Sequence, residues 1–259
     1  MKTFTIVLPT YNNLDLFKSV YGSVCKQDFK NYEIVVVDDS TDSAIEDYVS
    51  SLNNPVLTYR HHIPSAGAVN NWNHGLQLAN GRYVVVVHHD EAFEEDNYLT
   101  SLNEQFQKGY DVLVTRVKVF NAGILKPNVF SQAVMKFFIA CPSFLFLCNV
   151  IGPCSCVAIK REHLVEFDNR LNWLVDVDWY YRLLKGKRRL FLDSLHIDSF
   201  NDHEDKITNQ IDVKQSEVKD IAVLNSKYKY HPLLRCCLFI NKMVMLNDLK
   251  GIIKKVIRK

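Results

Sequence analysis

Short apolar runs alternate with helical patterns along the first part of the chain. The runs that predict strands are Phe4–Leu8, Tyr32–Val37, Val56–Arg60, Tyr83–Val87 and Tyr110–Val119. The patterns that predict helices begin after the capping residues Asn12 and Asn13 and also cover Ala66–Ala79 and Asp96–Lys108. Apolar strands separated by helices are typical of strands buried on both faces. We therefore predict an α/β fold, with a mostly parallel central sheet flanked by helices.

The chain shows no internal repeat and no low-complexity linker, and its one boundary is predicted near residue 215. We expect a main domain over residues 1–215 and a helical C-terminal extension over residues 216–259. From Leu233 to Lys259, apolar side chains alternate with basic ones, and only Asp248 opposes that charge. A basic amphipathic helix suits an anionic membrane surface. The alternative is a helix that docks on its own domain.

Polar clusters follow the first, second and fourth predicted strands: Pro9–Asn12, Asp38–Ser40 and His88–Glu91. Because ligands bind beyond the carboxyl ends of parallel strands, three clusters at one sheet edge predict a ligand site. Carboxylates there can accept hydrogen bonds from ribose hydroxyls or from a base N–H. The alternative for Asp38 and Asp39 is an Asx turn that leads into the next helix.

The His88–Glu91 cluster combines imidazoles and carboxylates, which suit a divalent cation such as Mn²⁺ or Mg²⁺. If the segment continues the strand, His88 and Asp90 share one face while His89 and Glu91 share the other. The alternative is a polar strand end with solvated histidines. The chain lacks GxGxxG after its first strand, and it lacks GxxxxGK[ST] and HExxH altogether. These absences argue against a dinucleotide site, a P-loop and a zinc protease.

A later acidic pair, Asp176 and Asp178, lies where the pattern predicts the first turn of a helix. The carboxylates either stabilise the helix dipole or include a general base next to a bound nucleotide. Residues two apart on a helix point in different directions, so at most one of them is expected to be the base.

Composition and charge narrow the class of protein. The chain has 259 residues, 47% of them hydrophobic and 23% charged, as in an ordinary globular protein. Its net charge of +2 gives no reason to expect a nucleic-acid partner. Seven cysteines, an odd number, argue against a secreted disulfide framework, so we expect reduced thiols and a cytoplasmic protein. The N-terminus does not have the pattern of a signal peptide.

The most apolar segment, Phe137–Ile151, is too short for a membrane span, and Pro142 interrupts it. It is either a buried part of the core or a patch that touches the bilayer surface.

In their order and spacing, five motifs resemble the family 2 glycosyltransferases over Phe4 to Thr208. They are IVLPTYNN (Ile6–Asn13), VVVDDSTD (Val35–Asp42), NWNHGLQLANGRYV (Asn71–Val84), HHDE (His88–Glu91) and FDNRLNWLVDVDWYYRL (Phe167–Leu183). The resemblance implies a GT-A fold and sugar transfer from a nucleotide-diphosphate donor to an acceptor hydroxyl, with inversion at the anomeric carbon. It also implies a divalent cation, Mn²⁺ or Mg²⁺, as cofactor.

The resemblance further implies a role in bacterial surface-polysaccharide biosynthesis. We expect a UDP-sugar as donor and a saccharide or lipid-linked saccharide as acceptor. The protein would then work at the inner face of the cytoplasmic membrane, in peripheral contact with it.

The resemblance gives roles to individual residues. The residues matched to donor nucleotide binding are Pro9, Thr10, Tyr11, Asp38, Asp39, Asn73, His88 and His89. Trp72 stands where many family members carry an arginine. Counting back from Arg182 matches Asp176 to the family's catalytic base, and Asp178 matches a secondary acidic position.

The metal motif departs from the family's Asp-x-Asp-Asp pattern, because His88 and Glu91 replace its outer carboxylates. The resemblance makes Asp90 the main metal ligand, and His88 either a ligand or a nucleotide contact. His203 matches the late histidine that closes over the cation or the diphosphate, and His196 is its rival.

Two other functions compete with this interpretation. The substituted metal motif would also suit a non-catalytic nucleotide-sugar-binding partner subunit of the same fold. A sugar-phosphate nucleotidyltransferase would need a glycine-rich basic loop where Pro9–Asn13 stands.

Overall fold

The structure is a computed structural model that describes residues 1–126, 130–201 and 211–247. Its strands are β1 (Phe4–Thr10), β2 (Tyr32–Asp38), β3 (Leu57–His61), β4 (Tyr83–Val86), β5 (Glu91–Phe93), β6 (Val112–Asn121), β7 (Ile124–Leu125), β8 (Val157–Lys160) and β9 (Arg189–Phe200). Its α-helices are α1 (Leu14–Lys26), α2 (Ala44–Leu52), α3 (Ala68–Leu78), α4 (Tyr98–Gln107), α5 (Gln132–Ala140), α6 (Val175–Leu184), α7 (Val213–Lys227) and α8 (Pro232–Leu246). Short 3-10 turns cover Pro142–Phe146, Cys154–Cys156 and Arg161–His163.

One sheet carries all the described strands, in the order β3-β2-β1-β4-β8-β6-β9-β5, with β7 paired to β6. The first four strands are parallel, as predicted. The second half of the sheet is mixed: β8 runs antiparallel to β4 and β6, β9 runs parallel to β6, and β5 runs antiparallel to β9. The predicted α/β class is confirmed, but uninterrupted parallel pairing is limited to strands β3, β2, β1 and β4.

Burial explains why the first strands could be predicted from the sequence. Every residue of β1 and β4 is buried, and most of these residues are apolar on both faces of the strand. Helix α1 packs Phe17, Val20 and Val24 into the core, and Asn13 caps it by accepting from the Leu16 N–H over 3.1 Å. Helix α4 begins two residues after the predicted start at Asp96, because Asn97 is its N-cap.

The apolar segment over residues 137–151 belongs to the core. Six of its side chains are buried and join the main hydrophobic cluster: Phe138, Ile139, Leu145, Phe146, Val150 and Ile151. Only part of the segment, such as Phe137, is exposed. Within residues 1–126, 130–201 and 211–247, no helix combines the length and the apolarity needed to cross a bilayer.

Helices α7 and α8 form the C-terminal part of the described chain. Residue 215, the predicted boundary, lies inside α7. Glu217 on α7 accepts a 3.0 Å hydrogen bond from the Asn241 side chain on α8, and α8 packs on the 3-10 turn Pro142–Phe146. The two helices are therefore built into the body of the protein.

The outer face of α8 is apolar. The exposed large side chains on it are Leu233, Phe239, Ile240 and Met243. We call these four residues the α8 stripe. Between Ile221 and Asn247 the sequence has no acidic residue, whereas it has four basic ones.

Candidate active site

The loops after β1 and β2 are tied together at the carboxyl edge of the sheet. The Asn12 N–H donates to Ser40 Oγ over 2.7 Å, and the Thr41 N–H donates to Asn12 Oδ1 over 2.8 Å. Asn12 has a φ of 52°, a left-handed conformation that asparagine tolerates better than most residues. The Asp39 N–H donates to Thr10 O over 3.1 Å. Two of the three predicted polar clusters therefore meet.

The predicted nucleotide loop begins inside β1. Pro9 and Thr10 are buried, and Tyr11 is half-buried. Thr10 Oγ1 is buried, and no residue in the described part of the chain hydrogen-bonds to it. A buried hydroxyl without a partner is costly, so a polar ligand atom at this edge would stabilise it.

Asp38 makes the Asx turn that the sequence left as an alternative. Its Oδ1 accepts from both the Ser40 N–H (2.9 Å) and the Ser40 hydroxyl (2.5 Å), and its Oδ2 accepts from the Tyr59 hydroxyl over 2.7 Å. Burial, together with this bond to Asp38, raises the pKa of Tyr59. An ionised carboxylate has about four acceptor sites, so roughly one remains for a nucleotide.

Asp39 holds the start of α3. Its Oδ1 accepts from the Ala66 N–H over 2.6 Å, and its Oδ2 accepts from the Ser65 hydroxyl (2.6 Å) and the Gly67 N–H (2.9 Å). Gly67 is the N-cap of α3 and has a φ of 82°, which favours glycine. Asp39 thus shapes the loop that leads from β3 to α3.

The Asn73 side chain joins α3 to a distant loop. Its amide nitrogen donates to Phe167 O over 2.9 Å, and its oxygen accepts from the Phe167 N–H over 2.7 Å. The amide is buried and paired at both ends. Asn73 therefore helps to build the site, in contrast to the nucleotide contact predicted for it.

The segment after β4 turns instead of continuing as a strand, which corrects the predicted alternation. The Glu91 N–H donates to His88 O over 3.1 Å, and the His88 N–H donates to Glu91 Oε2 over 2.9 Å. His89 and Asp90 are half-buried within this turn. The turn brings Glu91 back to His88, whereas the strand pattern had separated them.

One imidazole and two carboxylates converge in this turn. Ligand atoms of His88, Asp90 and Glu91 lie within 4.8 Å of one another. Nitrogen and oxygen donors in this number fit a divalent cation such as Mn²⁺ or Mg²⁺. Asp90 was predicted as a ligand, whereas Glu91 was not.

His88 is enclosed by three side chains. The Trp72 ring lies 4.9 Å from it between centroids, Cys154 Sγ lies 3.5 Å from Nε2, and Glu91 Oε1 lies 3.8 Å from Nδ1. Burial lowers the pKa of His88, but Cys154 and Glu91 raise it, and the net direction is upward. Burial raises the pKa of the Cys154 thiol to about 11, so this thiol is neutral near pH 7. We therefore assign the upward direction at His88 to the charge of Glu91.

The two histidines predicted to approach the cation or the diphosphate, His203 and His196, differ in what the structure shows. His203 lies outside the described residues. His196 Nδ1 lies 2.7 Å from Glu95 Oε1, and Glu94 completes a second cluster of metal-binding type with them. His196 is therefore separate from the His88 turn. The end of β9 does approach that turn, because the Phe200 N–H donates to Asp90 O over 2.9 Å.

Asp176 has the environment expected of a general base. It lies in the first turn of α6, and its Oδ1 is buried without a hydrogen-bond partner among the described residues. Burial raises the pKa of Asp176 to about 6, and the charge of His88 lowers it while that of Glu91 raises it. The carboxylate is thus close enough to the His88 turn to be affected by its charges.

The Asp178 carboxylate is held by hydrogen bonds within the protein. Its side chain is completely buried and accepts from Arg182 Nε (2.8 Å), Lys227 Nζ (2.9 Å) and the Tyr228 hydroxyl (2.7 Å). The two acidic residues of α6 therefore have separate roles, as their spacing predicted. Asp178 supports the fold, and Asp176 is available for chemistry.

The sequence analysis missed Cys154, and it did not assign Glu91 as a metal ligand or predict the contact of Trp72 with His88. Cys154 lies in a turn that is fixed by a 3.0 Å hydrogen bond from the Tyr180 hydroxyl to Gly152 O. For Cys154, the signal in the sequence was the Gly-Pro-Cys-Ser-Cys run at residues 152–156.

The family profile of "Glycosyl transferase family 2" matches residues 5–167, more than half of the chain. Over 187 residues the chain is 28% identical to the putative colanic acid biosynthesis glycosyl transferase WcaA of Escherichia coli, a match that covers 70% of this chain and 65% of that protein. Over 188 residues it is 24% identical to the amylovoran biosynthesis glycosyltransferase AmsB of Erwinia amylovora, covering 65% and 59%. The matches thus span about six-tenths of these curated relatives.

Solved structures share the fold. S. aureus TarS in complex with UDP-GlcNAc superposes with a TM-score of 0.71 at 18% identity, covering 97% of this chain and 75% of TarS. The mannosyltransferase PcManGT of Pyrobaculum calidifontis, in complex with GDP-Man and Mn²⁺, gives a TM-score of 0.60 at 16% identity, covering 94% and 70%. The predicted GT-A fold is confirmed.

Proposed function

This chain belongs to glycosyl transferase family 2, and we propose that it moves a sugar from a UDP-sugar to an acceptor hydroxyl with inversion at the anomeric carbon. One observation carries the proposal. Asp176 presents a buried, unpartnered carboxylate oxygen near a turn that has the donor set of a divalent cation site. That pairing of a base with a site for a leaving diphosphate is what such a transfer needs.

Donor binding is proposed at the edge formed by the loops after β1 and β2. The buried Thr10 hydroxyl has no hydrogen-bond partner among the described residues. Asp38 and Asp39 each accept three hydrogen bonds from described residues, of the roughly four that a carboxylate can accept. The resemblance to TarS, which was solved with UDP-GlcNAc, favours a uracil nucleotide. Tyr11 supplies an aromatic side chain in the same loop.

His88, Asp90 and Glu91 would hold the divalent cation. When bound, it would neutralise negative charge that develops on the leaving diphosphate. The chain's own contribution is a preformed turn: Glu91 accepts from the His88 backbone, and Trp72 covers the imidazole.

The proposed chemical step is one displacement. Asp176 takes the proton from the acceptor hydroxyl as its oxygen attacks C1 of the sugar from the face opposite the diphosphate. The new C1–O bond forms while the bond from C1 to the diphosphate oxygen breaks, and its electron pair leaves with UDP. A single displacement inverts C1, and no carboxylate nucleophile is required.

We propose a saccharide or lipid-linked saccharide of bacterial surface polysaccharide as the acceptor. The relatives named for colanic acid and amylovoran biosynthesis support this substrate class. The α8 stripe, next to basic and not acidic residues, would let the protein lie against the inner face of an anionic membrane.

The second candidate is a non-catalytic nucleotide-sugar-binding partner. The observation in its favour is His88, an imidazole at the first position of the metal motif. Calorimetric titration with UDP, GDP, CDP and dTDP, each with and without Mn²⁺, tests both functions.

Of the four nucleotides, we expect only UDP to bind tightly. Mn²⁺ should strengthen the binding of UDP, and Asp90→Ala should remove this effect of Mn²⁺. Asp176→Asn should keep this binding and abolish sugar transfer. Binding without any transfer by the wild type would favour the partner subunit. Failure of every nucleotide to bind would contradict both functions.

A further inference from the structure

A buried carboxylate on α7 binds the backbone that leads into α6. Asp220 is completely buried. Its Oδ2 accepts from the N–H groups of Trp173 and Leu174, each over 2.7 Å, and both of its oxygens lie 3.1 Å from the Asn172 nitrogen. Three consecutive N–H groups thus point at one carboxylate.

These N–H groups fix the entry of the chain into α6. Leu174 is the N-cap of α6, and Asp176 follows two residues later. Hydrogen bonds to an ionised acceptor are about twice as strong as neutral ones, and a negative charge is favourable at a helix N-terminus. Asp220 therefore resists movement of the segment immediately before Asp176.

The same face of α7 also grips α6 on the other side of Asp176. Lys227 lies seven residues after Asp220, on the same side of the helix. It binds Asp178 over 2.9 Å and Asp168 over 2.8 Å, and the adjacent Tyr228 hydroxyl donates to Asp178 over 2.7 Å. Asp176 thus lies between two anchored points.

We infer that α7 is a positioning element of the active site and that Asp220 is its positioning residue for Asp176. The inference rests on the proposed function, in which Asp176 is the base. A base must stand within hydrogen-bond reach of the acceptor hydroxyl, and a displacement of about 1 Å can cost roughly 100-fold in rate. Residues of the C-terminal region would then control catalysis without touching a substrate.

The test compares two isosteric variants of the same helix. Asp220→Asn removes the charge that binds residues 172–174. Glu217→Gln is the matched control: Glu217 is also buried on α7, and its Oε1 accepts a hydrogen bond from Asn241 on α8. Hydrogen–deuterium exchange over residues 171–178 reports the anchoring, and UDP release from UDP-GlcNAc, with Mn²⁺, reports the rate.

We expect Asp220→Asn to speed amide exchange before α6 and to lower kcat by about 10- to 100-fold, with the Kd for UDP within about twofold of the wild type. Glu217→Gln should leave both the exchange pattern and kcat as in the wild type, even if it lowers Tm as much as Asp220→Asn does. Equal kcat losses in the two variants would reduce Asp220 to a general stabiliser and overturn the inference, as would an unchanged kcat in Asp220→Asn.

A second variant and a second measurement cover the cases in which Asp220→Asn does not fold or the wild type shows no activity. If Asp220→Asn does not fold, Tyr228→Phe removes one hydroxyl from Asp178, and it should lower kcat by about 3- to 10-fold without weakening UDP binding. An unchanged kcat in that variant would contradict the inference. If the wild type releases no UDP from UDP-GlcNAc, this sugar nucleotide is excluded as the donor under these conditions, and amide exchange alone decides whether Asp220 anchors the segment.

Discussion

At the scale of single residues, environment separates two carboxylates that the sequence presents as a pair. Asp176 has a buried oxygen with no partner among the described residues, whereas Asp178 has three donors. A buried unpaired carboxylate holds its proton more tightly, because the low-dielectric surroundings disfavour the charge. The same residue type is therefore proposed as the base at one position and is structural at the other.

The rate of transfer should depend on pH through Asp176. A base works only when deprotonated, and burial raises the pKa of this carboxyl to about 6. We expect kcat to rise about tenfold per pH unit below pH 6 and to level off above it. A profile measured from pH 4.5 to 8 at saturating donor checks this, and an acidic limb centred near pH 4 would contradict it.

Neutralising Asp176 and neutralising Asp178 should change the free energy of unfolding in opposite directions. Because the pKa of Asp176 is raised by folding, from 3.8 to about 6, its charge destabilises the folded state progressively between those pH values. Asp176→Asn should therefore raise the free energy of unfolding at pH 7.5 by up to about 3 kcal/mol, and by nothing below pH 4. Asp178→Asn should lower it by about 3 kcal/mol, since the partly buried Arg182 and Lys227 lose the charge that binds them.

Urea denaturation of both variants at pH 7.5, in the absence of divalent cations, measures the contrast. The matched chemistry of the two substitutions makes each variant the control for the other. A loss of similar size in both would show that Asp176 is also paired in the folded protein.

At the scale of elements, α8 has two apolar sides, one buried and one exposed. Its inner side packs Leu234, Leu238 and Val244 into the protein, while the α8 stripe stays exposed. An amphipathic helix of this kind normally buries one face only, so the second apolar face calls for a partner. The excess of basic residues around it favours anionic lipid.

Vesicle binding should depend on the α8 stripe. We expect the protein to co-sediment with phosphatidylglycerol vesicles and much less with phosphatidylcholine vesicles. Replacing Phe239 and Met243 together by serine should weaken binding about tenfold or more, because each removes apolar area from the interface. The matched control is Val218→Ser, an exposed apolar residue on α7. Equal binding of both variants would exclude the stripe as the contact.

At the scale of the whole molecule, the site is assembled from distant parts of the chain. The parallel half of the sheet supplies the loops around Thr10 and Asp38, the end of β4 supplies the His88 turn, and α6 supplies Asp176. Helix α7 closes this arrangement through Asp220 and Lys227. The C-terminal helices therefore belong to the folding unit that carries the site.

Truncation at the predicted boundary tests this directly. A chain that ends at residue 215 removes Lys227 and Tyr228 and leaves the buried Asp178 with Arg182 alone. We expect it to lose cooperative thermal unfolding and near-UV circular dichroism, because a buried charge loses most of its compensation. A chain that ends at residue 247 is the control and should unfold like the full chain. A cooperative transition in the shorter chain would restore the two-part division.

The sequence by itself determined the parallel half of the sheet and the place of the site. Strands such as β1 and β4 are mostly apolar because both of their faces are covered, so local pattern alone reveals them. The polar clusters at their carboxyl ends predicted the edge where Asn12 and Ser40 now meet. Ordered motifs also singled out Asp176 and Asp90.

Tertiary structure alone decided what each polar side chain does there. The turn that returns Glu91 to His88, the contact of Cys154 with His88, and the pairing of Asn73 with Phe167 join residues through space. Hydrogen bonds and burial act between atoms that are close in three dimensions, whatever their separation along the chain. A periodic pattern records only which way a side chain faces, and so it could not show that Asp178 is paired while Asp176 is left for chemistry.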